Sequence, residues 1–168
     1  SGDYLMEIIT PDNTELLTKL LSDEQMLKYV ECAEAVQKQV GELPQINLPI
    51  FHHFAPNVYM RQMDAPAGAI VVSKMHRTEH MNILLKGSLS VITEHGIEYL
   101  KAPLILKSGA GTKRIGYFHE ESSWVTVHPT DLTDLDEIEA QVIVPESEIQ
   151  EFLKTLPMKE KALCHGEP

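Results

Sequence analysis

The sequence predicts a mainly β chain: a small β-barrel or jelly roll with a helical N-terminal extension and one C-terminal helix. Three observations carry this. From Leu48 onward, short apolar runs alternate with turn residues every few positions, the pattern of a sandwich or barrel. Before that point the apolar residues recur instead at helical spacing. After Pro145, a second helical pattern closes the chain.

The N-terminal part is expected to span residues 1–47. Tyr4 to Ile9 reads as an edge strand. Asp12-Asn13-Thr14 offers helix caps ahead of Glu15-Leu16-Leu17. Ser22 with Gln25 fits a capping box. Met26, Val30, Ala33, Val36 and Val40 then share a helical face, and Gly41 stands where a helix ends. This predicts an amphipathic helix at about 23–40, packed over an open face or end of the sheet. A dimer contact is the rival role.

Strands are predicted near 50–54, 57–63, 68–76, 79–86, 88–94, 97–101, 103–107, 112–118, 123–128 and 139–144, within a barrel spanning 48–145. His95-Gly96 marks a hairpin turn, and Glu120-Glu121-Ser122 precedes the only tryptophan, Trp124. Asp131 to Glu139 is acidic and reads as a solvated loop or short helix. A hard-cation site is weakened there by the lack of EF-hand spacing. Residues 146–168 hold the last helix and a polar tail. Ser147 and Gln150 repeat the capping box, Ile149, Phe152, Leu153 and Leu156 form its apolar face, and Pro157 stops it.

Composition narrows the function. At 168 residues, with 43% hydrophobic and 23% charged side chains, the chain is an ordinary globular domain. The formal net charge of −11 argues against a general nucleic-acid surface, which needs a basic footprint. It leaves room for a local cationic pocket. No apolar run approaches the roughly 20 residues that span a bilayer. The N-terminus shows no secretory pattern, and Cys32 and Cys164 do not make a disulfide framework. A reduced, cytoplasmic protein is therefore expected.

The stretch Gly68 to Gly87, GAIVVSKMHRTEHMNILLKG, concentrates the chemistry. Two apolar runs flank the turn Arg77-Thr78-Glu79. Period-two alternation puts Lys74 and His76 on one face of the incoming strand, and His80 opens the outgoing one. The stretch resembles the first motif of the cupin superfamily, G-x5-H-x-H-x3–4-E-x6-G. Gly68 opens it, Lys74 stands in the first His slot, His76 fills the second, His80 takes the Glu slot and Gly87 closes it. Gly109 to Phe118 resembles the second motif, with Gly109 in the Pro slot, Gly111 in the Gly slot, Arg114 in the His slot and Phe118 in the Asn slot. The resemblance covers about residues 48–145 and implies a cupin-like jelly roll, with a homodimer as its common assembly. Of the usual metal ligands only His76 is the expected type. The GTKRIGY and WVTVHP segments are also similar to short cupin-like proteins of phages.

Two classes of function follow. In the first, Lys74, His76, His80 and Arg114 line a cationic cavity with Tyr59, Arg61, Tyr117 and Trp124 as walls. Buried charges are costly unless paired, so such a cavity suits a small anionic ligand such as a nucleotide or sugar phosphate. A phage-encoded ligand-sequestering protein would be one form. In the second, His76, His80 and His128 hold one divalent transition metal, Zn, Fe, Ni or Mn, in an isomerase, lyase or dioxygenase. His128 shares a strand face with Trp124 and Thr126; His119 is a substitute ligand. There Lys74 or Tyr59 would move protons, and Arg114 would orient the substrate. Lys74 and Arg114 in ligand slots count against the metal. Of His52 and His53, at most one points inward. Gly109 to Lys113 lacks the spacing of a nucleotide-triphosphate loop, and neither cysteine has a nucleophile's setting.

Overall fold

The computed structural model describes residues 5–9, 29–93 and 96–156. Its core is one long antiparallel hairpin folded over itself. The strands are β1 (Leu5–Ile9), β2 (Ile50–Ala55), β3 (Val58–Ala65), β4 (Ala69–Ser73), β5 (His80–Lys86), β6 (Ser88–Thr93), β7 (Gly96–Lys101), β8 (Leu104–Ser108), β9 (Ile115–Phe118) and β10 (Ser122–His128). β3 pairs with β10, β4 with β9, β5 with β8 and β6 with β7. Contacts of β10 with β5 and of β9 with β6 join these pairs into two facing sheets. This nesting of outer around inner pairs is a jelly roll. β1 extends one sheet beside β4, and β2 extends the other beside β3, giving the orders β1-β4-β9-β6-β7 and β2-β3-β10-β5-β8.

Alternation along the strands decides which side chains enter. β3 is the clearest case: Tyr59, Met63 and Ala65 are buried, and Arg61 shares their face at 3% exposure. The turn from β5 to β6 depends on Gly87. Its φ is +88°, and a Cβ there would lie 2.6 Å from the Glu121 carbonyl oxygen, so only glycine fits.

Helices cover one sheet. In α1 (Tyr29–Gly41), Val36 and Val40 pack on Ile70, Val72, Ile92 and Ile115. α3 (Ile149–Thr155) adds Ile149, Phe152 and Leu153 to the same cluster. Tyr117, expected as a pocket wall, packs there too, outside the barrel. The start of the expected 23–40 helix, with its capping box at Ser22, lies outside the described residues, as do the Asp12–Thr14 caps and the polar tail. The capping box expected at Ser147 does not form. A 3-10 turn at Glu146–Glu148 leads into α3, whose N-cap, Glu148, makes no side-chain cap bond. The outer face of the second sheet exposes Phe51, Met81, Leu85 and Ile105.

The strand expected at 139–144 is instead α2 (Leu135–Val142). The Asp134 carboxylate accepts the Glu137 backbone N–H at 3.0 Å, and Asp136 and Glu137 sit in the first turn, where the helix dipole favours acids. Ile138 and Val142, four apart, bury together against Tyr59. The apolar, β-branched Ile143 and Val144 give that stretch its strand-like look. They do pair with 75–77, through a bridge from Ile143 to His76, a bond from the Val144 N–H to the Met75 carbonyl and one from the Arg77 guanidinium to the Ile143 carbonyl. α2 thereby closes one end of the barrel.

Candidate functional site

The closed end gathers three imidazoles. His76 follows β4, and its backbone bonds to Thr112 and Gly111. His80 opens β5 and His128 ends β10. Their ring centroids lie 4.2 Å (His76–His80), 5.6 Å (His76–His128) and 5.3 Å (His80–His128) apart. Tyr59 stacks behind His128 at 6.1 Å and shares a 2.7 Å hydrogen bond with His52 Nδ1. His52 is thus the inward member of its pair, and His53 is exposed.

Burial holds all three imidazoles neutral. His80 is pushed down to about 4, mainly by burial, with the Arg114 charge adding to it against the Thr78 hydrogen bond. His128 is pushed down to about 3, by burial first and then by His80 and Arg61. His76, the most deeply enclosed, lies well below the usual imidazole range for the same first reason. His80 Nδ1 lies 2.9 Å from the Thr78 carbonyl oxygen; in the neutral ring that nitrogen donates and Nε2 keeps its lone pair. Burial also raises the Tyr59 hydroxyl to about 12, so it stays protonated.

Above this cluster the interior opens into a partly enclosed cavity. Arg61 enters from β3, and Arg114 from the residue before β9 on the facing sheet. The Arg114 guanidinium lies over the Trp124 ring, 5.7 Å from its centroid. The Trp124 indole N–H donates to Asn82 Oδ1 at 3.2 Å, and Asn82 Nδ2 donates to Ser108 Oγ at 2.6 Å. This chain of contacts fixes where the guanidinium stands. Ser73 and Thr126 complete the polar wall, and no side chain lining the cavity among the described residues is acidic.

The sequence-predicted residues thus separate. His76, His80, Arg114 and Trp124 line the cavity together with Arg61. His128 and Tyr59 lie behind its wall, each at 1% exposure or less. Lys74 does not join them: β4 ends at Ser73, alternation stops there, and Lys74 Nζ pairs with Glu139 of α2 at 3.1 Å. His119 is also elsewhere, exposed and bonded to Ser90 Oγ at 2.6 Å. Asn82 and Ser73 escaped the sequence reading. Asn82 follows His80 at period two, which is the signal that would have found it.

A metal on His76, His80 and His128 would need three ring nitrogens about 2.0–2.1 Å from one point. The ring spacings allow it. Yet no three His, Cys, Asp or Glu side chains among the described residues are arranged to hold an ion. The charges of Arg61 and Arg114 also bear on these rings. Two guanidiniums beside the rings weigh against a divalent ion there.

No family model matches the sequence, and no curated protein does. Solved structures do. A candidate ethanolamine utilization protein Q from Salmonella typhimurium LT2 is 12% identical, with TM-score 0.43 over 51% of this chain and 72% of that one. An acetylacetone dioxygenase from Acinetobacter johnsonii is 19% identical, with TM-score 0.41 over 65% and 77%. A cupin domain from Bordetella pertussis Tohama I is 12% identical, with TM-score 0.40 over 50% and 94%. The nested strand pairs of β3 to β10 are themselves a jelly roll. None of the described helices is long and apolar enough to cross a membrane.

Proposed function

We propose that this protein binds a small anionic ligand inside its barrel. The observation that carries the proposal is the placing of Arg61 and Arg114 on opposite walls of one cavity, beside Ser73, Asn82 and Thr126. Two guanidiniums in a partly desolvated space favour a carboxylate or phosphate, which each can grip with two parallel N–H donors. The neutral imidazoles add donors and acceptors without adding charge. Holding the ligand, as a sequestering protein would, needs nothing beyond these groups.

A metal-dependent isomerase, lyase or dioxygenase is the second reading, favoured by the convergence of His76, His80 and His128. One experiment separates the two. Protein purified without a metal column is analysed for metals, and its melting temperature is followed with millimolar phosphate and acetate. A rise with either anion, absent in Arg114→Met, and no stoichiometric metal is the expected result. One equivalent of a transition metal, lost in both His76→Ala and His80→Ala, would overturn it in favour of the enzyme.

A further inference from the structure

Strand register gives the cavity two unlike halves. On the sheet of β3, Arg61 faces Thr126, which faces Asn82. This polar row lies beside the Tyr59–His128 pair, toward the closed end. The next inward row the other way is Met63, Trp124 and Leu84. On the facing sheet, Arg114 and Ser73 pair by a 2.9 Å backbone bond. The next inward row is Val71, Gly116 and Val91, and the one after holds Phe118 and Leu89. From Arg114 to Phe118 is four residues of strand, roughly 13 Å at ~3.3 Å each. One half therefore presents guanidinium, imidazole, amide and hydroxyl groups. The other presents Met63, Val71, Leu89, Val91 and Phe118, which belong to the barrel's apolar core.

Resting on the anion-binding reading above, we infer that the ligand is an amphipathic anion: a carboxylate held between Arg61 and Arg114, with an aliphatic or aromatic body laid against Met63, Val91, Leu89 and Phe118. A sugar phosphate or nucleotide fits poorly. Its hydroxyls would enter the apolar half, where these side chains offer no hydrogen bond, and a buried polar group without a partner is penalised.

The test uses the whole chain and its single tryptophan, Trp124, as the fluorescent reporter in the cavity wall. Butyrate, hexanoate and octanoate are titrated, with 1-octanol and ribose 5-phosphate as controls. Affinity should rise about fourfold per added methylene as the tail covers apolar wall. Arg114→Met should weaken every carboxylate about tenfold and leave that slope unchanged. Val91→Thr, of similar shape, should flatten the slope, with octanoate losing the most affinity and butyrate the least. A flat series, ribose 5-phosphate binding tighter than octanoate, or no response to any carboxylate would overturn the inference while the phosphate and acetate melting test still stands. Octanol binding as tightly as octanoate, or Arg114→Met without effect, would overturn the anion reading itself.

Discussion

The two ends of the barrel interior are built on opposite terms. At one end Met63, Leu84, Leu89, Val91 and Phe118 interdigitate from both sheets, and closure comes from the strands themselves. At the other, imidazoles and a guanidinium are buried, and closure comes from α2 and the segment after it. Apolar burial stabilises the first end. The second end costs stability, because its histidines must be kept neutral and out of water. The difference assigns recognition of charge to the polar end, while the apolar end carries most of the stability.

Acid should expose that difference most strongly. His76, His80 and His128 all have lower values folded than the ordinary 6.5, so the unfolded chain takes up protons first as pH falls. Stability should be full above about pH 6.5. It should fall as pH drops toward about 4 for His80 and further toward about 3 for His128. The His80 shift alone corresponds to on the order of 3 kcal/mol. Urea unfolding at pH 7, 5.5 and 4.5 measures the loss, and His80→Gln should remove part of the slope. A curve flat to pH 4.5 would mean that the polar end is open to water, and the contrast between the ends would collapse.

The apolar end is tested by truncation. Leu84 is fully buried, so Leu84→Ala should cost about 3 kcal/mol of unfolding free energy. It should leave the melting rise with phosphate or acetate intact, because Leu84 lies outside the polar row. A loss of that rise in folded protein would show that the two ends are not separable.

How much of this was legible depends on where alternation runs unbroken. Trp124, Thr126 and His128 share a face because β10 is a regular strand to its last residue, and the sequence read them correctly. Arg61 sits between Tyr59 and Met63 at period two, and was read as a wall residue. Gly87 was legible as a motif position, and its positive φ supplies the reason. Reading failed at the element ends. Ser73 ends β4, so no strand geometry aims Lys74. Ile143 and Val144 look like strand because they are apolar and β-branched, while the deciding signal, Asp134 as a cap three residues before Glu137, lies upstream. The chain Ser108–Asn82–Trp124–Arg114 links three separate strands and the residue before a fourth, so no local pattern announces it.

The smallest expected effect is at Lys74, and it marks the outer limit of the polar end. Its ammonium meets Glu139 at 3.1 Å, with side-chain exposures of 37% and 25%. Ion pairs this open to solvent contribute roughly 0–1 kcal/mol, because water screens the attraction and both side chains lose freedom. Lys74→Met should therefore lower stability by no more than about 1 kcal/mol and leave anion affinity unchanged, measured beside Arg114→Met in the same titration. Arg114 and Lys74 differ in where the backbone sends them, one into the cavity and the other onto α2. A tenfold loss of affinity in Lys74→Met would mean that the ammonium leaves Glu139 and turns into the cavity when an anion arrives. The recognition end would then include α2, and binding would pull on the helix that closes it.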